Sequence, residues 1–156
     1  MKRLLGRIGL FVSCGFIYYM IECFYRGYSD ISMFILAGLL GVFCIDTPNN
    51  IWSFNLDYGL QVLISTIFCI VGEGITGLII NVWLGLNVWN YSNLWGTFFF
   101  GQCNVFFCVI WMLIVGLFGI FYCDGYDYYI CHMLPCPYYK IGNKVFFKMK
   151  KGKFDV

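Results

Sequence analysis

The sequence predicts an all-α fold: an integral membrane bundle of four transmembrane helices with both termini cytoplasmic. Composition is the first reason. Of 156 residues, 61% are hydrophobic and only 12% charged, against roughly 25% charged in soluble domains. A soluble chain of this length has too much surface for its volume to hide that many apolar groups, and the mean hydropathy is +0.78. The second reason is that the apolar residues fall into four runs separated by polar or turn-forming stretches. The third is charge placement. Lys2, Arg3 and Arg7 open the chain, Lys140, Lys144, Lys148, Lys150, Lys151 and Lys153 close it, and Arg26 alone lies between. Basic flanks favour the cytoplasmic face, so an even number of spans keeps both ends there. Beside anionic headgroups they read as anchors rather than as a nucleic-acid surface.

The first run, Ile8 to Phe24, is just long enough to span. No small-x-small cleavage site follows it, so it is expected to remain as a helix rather than leave as a signal peptide. Glu22 and Arg26, spaced i,i+4, are a candidate ion pair at the interface, either anchoring the helix end or gating it. Gly15, Tyr18, Tyr19 and Glu22 share one face, which should look into the bundle. The second run, Ile31 to Ile45, is short for a span and carries Gly38 and Gly41, which permit close helix contact. Asp46 to Tyr58 reads as a loop, opened by the turn cluster Asp46-Thr-Pro-Asn-Asn50, with Trp52 and Phe54 at the membrane surface.

The third run, Gly59 to Leu84, crosses with room for tilt. Its polar and small residues Thr66, Cys69, Glu73, Thr76, Gly77 and Asn81 recur at helical spacing and form one face. From Tyr58 to Cys123 Glu73 is the only charged side chain. A carboxylate at that depth costs at least about 2.5–3.5 kcal/mol. It is either a proton, cation or substrate contact, or a hydrogen-bonded carboxyl that locks packing. Glu73, Asn81, Thr76 and Glu22 are therefore the candidate lining of a polar interior. Trp83 to Trp95 is crowded with residues of a membrane–water interface and reads as an anchoring loop or an aromatic recognition surface. The fourth run, Leu94 to Tyr122, holds Gln102 and Asn104 near its start and a glycine patch at Gly116 and Gly119. Asp124 to Tyr129 then leaves the membrane, and residues 131–156 form a short basic cytoplasmic tail after a 1–130 transmembrane domain. The Lys144 to Lys151 stretch of that tail is suited to lying on the membrane surface.

The nine cysteines fall mostly in apolar segments, where cysteine acts as a small hydrophobe, and give no disulfide ladder. Cys123, Cys131, His132 and Cys136 lack the spacing of a zinc site. With one histidine and no Gly-x4-Gly-Lys phosphate loop, neither triad catalysis nor ATP hydrolysis by this chain is expected. No enzyme activity, metal or cofactor is predicted.

Ile21-Glu-Cys-Phe-Tyr-Arg-Gly-Tyr28 followed by Ser32-Met-Phe-Ile-Leu-Ala-Gly-Leu39, then Gly72-Glu-Gly-Ile-Thr-Gly77, Asn81-Val-Trp-Leu-Gly-Leu-Asn-Val-Trp-Asn-Tyr-Ser-Asn-Leu94 and Gly101-Gln-Cys103, resembles a family of small membrane proteins. Its members, from Firmicutes and their phages, are labelled ABC transporter permeases, type IV. The chain departs from that pattern at Asn90, where the family carries an aspartate, at Trp95-Gly-Thr-Phe98, which replaces Pro-Phe-Asn, and in its short loop after the first helix. The resemblance implies a multi-pass, transport-associated permease subunit in a bacterial plasma membrane, working with further copies or a partner membrane or ATPase subunit. The alternative is an oligomerising structural or holin-like membrane protein.

Overall fold

Capping decides where the helices begin. Asp30, Asp57 and Asn104 each precede an apolar stretch, and each side-chain oxygen accepts the backbone N–H two residues on: Ser32 at 2.8 Å, Gly59 at 2.9 Å and Phe106 at 2.9 Å. Such side chains satisfy one of the donors that a helix start leaves unpaired. The computed structural model describes residues 2–46, 51–52 and 54–152, and the chain is mostly helical. The four helices are α1 (Lys2–Arg26), α2 (Ile31–Asp46), α3 (Tyr58–Trp83) and α4 (Val105–Ile130). Helices α1, α3 and α4 are long and apolar enough to cross a membrane, and α2 is a shorter apolar helix. Wider, π-type turns continue α2 from Leu40, α3 from Leu78, and two stretches of α4. Gly27, at φ 81°, ends α1, its N–H donating to the Cys23 carbonyl at 2.8 Å.

Small residues set how closely the helices approach. A Cβ at Gly15 would lie 2.6 Å from the Phe34 carbonyl oxygen, and one at Gly38 2.8 Å from that of Phe11. With Gly41 against Cys14, these contacts run α1 and α2 antiparallel, backbone nearly on backbone. Gly72 admits Leu40 and Gly116 admits Val62, joining α3 to α2 and to α4. Gly6 faces Cys131 and Gly9 faces Tyr126, which returns the end of α4 to the start of α1. The helices therefore alternate in direction, and the start of α1 and the end of α4 share one end of the bundle. Buried Leu10, Leu36, Leu40, Cys69, Val115 and Ile120 fill its middle. Outward positions stay apolar, Phe16 at 58% and Phe118 at 68% exposed, as suits a surface solvated by lipid.

Helix α4 starts eleven residues later than the apolar run Leu94 to Tyr122 suggests. Residues 94–104 instead fold back over the bundle end in a small antiparallel pair, β1 (Thr97–Phe98) and β2 (Cys103–Asn104). Phe99, Phe100 and Gly101 all take positive φ in the turn. Phe99 is held there by Gly74, whose Cβ would come within 2.9 Å of its ring. At its other end α4 runs on through Asp124 to Ile130, so the segment read as leaving the membrane is helical.

The C-terminal segment is also more structured than a tail. Strands β3 (Tyr138–Ile141) and β4 (Lys144–Lys148) form an antiparallel hairpin. They turn at Gly142-Asn143, where Gly142 has φ 58°, the left-handed geometry that tight hairpins need. Tyr139, fully buried, packs edge-on against Tyr58 and Phe121, and its hydroxyl donates to Asp124 at 2.8 Å. Burial and the Asp124 carboxylate both push that hydroxyl's pKa far above its ordinary value. Phe54, expected at the membrane surface, packs against Tyr138 and Tyr139. The turn cluster at 47–50 and the last lysine, Lys153, lie outside the described residues.

Candidate functional site

The inner face of α3 carries Ser65, Thr66, Cys69, Glu73 and Asn81, all buried, with Thr76 half-buried. Glu73 lies at its centre, 5% exposed. Trp111 of α4 donates its indole N–H to Glu73 Oε2 at 2.9 Å, and the Tyr91 hydroxyl donates to Oε1 at 3.3 Å. The Trp111 ring stacks on Tyr18 of α1, centroids 5.9 Å apart and 6° from parallel, while Tyr91 stacks on Phe107 at 4.5 Å. Helix α4 and the loop before β1 thus meet α3 at one carboxyl, with Tyr18 of α1 one ring away. Its donors are neutral, and among the described residues no cation pairs with it. A carboxyl so placed can hold a proton, or offer two oxygens to a small cation, without first breaking a salt bridge.

Glu22, 8% exposed, belongs to the opposite end of α1 from the chain start. Arg26 Nη1 donates to its Oε1 at 2.7 Å, the i,i+4 pair expected from the spacing, and Ser29 donates to Oε2 at 2.5 Å. The Arg26 guanidinium also lies over the Tyr28 ring at 5.1 Å. Tyr18, one turn before Glu22, stacks on Trp111, the indole that donates to Glu73. The two carboxyls have separate hydrogen-bond partners, with Tyr18 and Trp111 lying on the α1–α4 side of Glu73.

Asn81 has a different task. Its Nδ2 donates to Gln102 Oε1 at 2.8 Å, and its Oδ1 accepts the Val88 N–H at 2.7 Å. Trp89 donates its indole N–H to the Gln102 carbonyl at 3.2 Å, and Gly77 leaves room for the Gln102 side chain. With these bonds Asn81 clamps the loop to α3 and leaves little of itself for a ligand. The tryptophan loop consequently divides: Trp89 is buried, whereas Trp83 and Trp95 are 81% and 92% exposed. Asn90, where the resembled family has an acid, accepts the Ser92 N–H at 2.8 Å in a local turn.

Sequence reasoning missed the donors Trp111 and Tyr91, which are ordinary aromatics in apolar surroundings until the loop folds back. It also missed a second acidic group at the end of the bundle that holds the chain start. Asp46, Asp124 and Asp127 are each 1% exposed or less; Arg7 bonds to Asp46, and Tyr139 to Asp124. The i,i+3 spacing of Asp124 and Asp127 at the end of an apolar run was the available signal. Among the described residues no group of three or more His, Cys, Asp or Glu could hold a metal ion. Cys136 donates to the Met149 carbonyl at 3.2 Å, and His132 Nδ1 lies 3.2 Å from the Tyr128 carbonyl.

Comparison with protein-family models, with curated proteins and with solved structures finds no match for this chain.

Proposed function

We propose that the chain is a transport-associated subunit of a bacterial plasma membrane, of the permease type it resembles, with Glu73 as its functional residue. All four helices cross the bilayer, and both ends lie in the cytoplasm. The antiparallel order of the helices supports this placement, as does the gathering of Lys2, Arg3, Arg7 and the hairpin lysines at one bundle end. The observation that carries the functional reading is the buried Glu73 carboxyl, held by two neutral donors at a depth where an acid is costly. Such groups mark proton and ion pathways more often than they serve packing alone. Tyr18 and Glu22 extend the polar line toward the outer interface. Four helices give little room for a complete pathway, so the subunit works with further copies of itself or with a partner ATPase.

The glycines on which a holin-like role would draw face partners within the chain: Gly38 meets Phe11, Gly41 meets Cys14, and Gly116 meets Val62. That leaves the transport reading better supported. Its test is uptake of a panel of labelled solutes by cells carrying the native chain or Glu73→Gln at equal membrane content. Uptake of at least one solute is abolished in the variant. Unchanged uptake of every solute, or collapse of the membrane potential on expression of either form, contradicts the proposal.

A further inference from the structure

Between the end of α4 and the C-terminal hairpin lies a groove of about 580 Å³. One wall is Phe121, Gly125 and Tyr129, spaced four residues apart along one face of α4; the other is Phe146 and Phe147 of β4, with Lys150 at the mouth. Gly125 keeps the floor open: a Cβ there would only touch Met149, at 3.5 Å. The Tyr129 hydroxyl donates to the Lys150 carbonyl at 2.7 Å, which fixes the mouth against the helix. The α4 wall is continuous with the outward surface of an apolar helix, including Tyr122 at 37% and Phe118 at 68% exposed. On the hairpin, Ile141, Val145, Phe146 and Phe147 are 45–62% exposed. So much uncovered aromatic and aliphatic surface on a short hairpin is costly in water and natural against acyl chains.

The exposed charge beside it is of one sign, since Asp124 and Asp127, which flank Gly125, are buried. Among the described residues Lys148, Lys150 and Lys151 enter no ion pair. An apolar slot that opens along a helix surface and ends under unpaired lysines matches an amphiphile with an acyl tail and an anionic head. We propose that this groove binds one anionic phospholipid. Its acyl chain lies along Gly125, Tyr129 and the two hairpin phenylalanines, over the edge-to-face contact of Phe121 with Phe147, and its phosphodiester sits on Lys150 and its neighbours Lys148 and Lys151. The site would tie the hairpin to the cytoplasmic leaflet, where anionic lipid attracts juxtamembrane lysines.

Native mass spectrometry of the detergent-purified full chain, with phosphatidylglycerol or phosphatidylcholine of identical acyl chains added, tests this. One phosphatidylglycerol per chain is expected to survive collisional activation at several-fold higher occupancy than phosphatidylcholine. The surface variant Lys148→Gln/Lys150→Gln removes that difference without disturbing the fold. Gly125→Leu fills the slot and lowers retention of both lipids. Equal retention of the two lipids by the native chain overturns the site. So does undiminished phosphatidylglycerol retention in the lysine variant, or a dimer of the chain in place of the lipid adduct.

Discussion

Glu73 is tied to Trp111 across 38 residues of sequence and to Tyr91 across 18, and each donor is itself held by a stacked ring. Replacing Trp111 with Phe keeps an aromatic contact to Tyr18 and removes only the indole N–H. Side-chain hydrogen bonds between membrane helices contribute about 0.6–2 kcal/mol, so Trp111→Phe should lower stability by that amount in titration with a denaturing detergent. An unchanged transition would mean that the bond is not made in the bilayer. Asn81→Ala should cost more, about 1–3 kcal/mol, because it strands the buried Gln102 side chain and removes the acceptor of the Val88 N–H. Limited proteolysis should then cut within 84–104 faster than in the native chain, while the helices stay intact. The sequence singled out Glu73 and Asn81 as residues out of place among apolar neighbours, and both are buried. It could not divide their roles, because what separates a mid-bundle carboxyl from a loop clamp is the path of residues 84–104. That path depends on Gly74 and Gly77 accepting Phe99 and Gln102, contacts between segments far apart in the chain.

At the level of elements, the α1–α2 pair brings glycine up against the partner helix's backbone, at Gly15 and Gly38. Gly38→Ala would push a methyl group into the Phe11 ring and carbonyl, the latter at 2.8 Å, and backbone cannot swing aside as a side chain can. Overpacking of that kind costs about 1–3 kcal/mol, which the detergent titration should detect as an early loss of the α1–α2 contact. Gly27→Ala has nothing within 4 Å to meet and only its positive φ to pay for, about 1–2 kcal/mol. The hairpin depends on Asp57, which caps α3 through Gly59 and reaches across to accept the Gly142 N–H at 2.6 Å. That backbone bond is the main reason the Asp57 carboxyl lies below its ordinary value. A depressed acid contributes stability above the unfolded-state value, near 3.9, and loses it as pH falls through the folded one. Amide protection in 138–148, corrected for intrinsic exchange, should therefore hold steady from neutral pH to about 5 and fall only below about 4. Asp57→Ala should show the low-protection state at neutral pH. The hairpin itself was legible: Gly142-Asn143 between two short runs rich in aromatic and β-branched residues is a two-residue turn signal. It was obscured by the lysines, which make the segment read as a surface tail.

For the molecule as a whole, hydropathy was enough to reveal three long apolar helices and one shorter one, because the bilayer-length rule acts on local sequence. The start of α4 was misplaced because Leu94 to Phe100 is apolar enough to pass for helix, and the true start depends on the Asn104 cap and the glycines at 96 and 101. The second acidic group stayed hidden for a related reason: Asp46 and Asp124 become neighbours of basic and phenolic groups only when the ends of α1, α2 and α4 meet the hairpin. Everything proposed for Glu73 rests on α2 crossing the bilayer with the others, since a shallow α2 would leave the chain ends on opposite sides. Paired reporter fusions, alkaline phosphatase for the outside and a fluorescent protein for the cytoplasm, decide this when placed after Tyr28, after Asn93 and after residue 156. Four spans predict phosphatase activity at the first two positions and fluorescence at the third. Opposite signals after Tyr28 and after Asn93, the result of a shallow α2, would contradict the bundle on which the site is built.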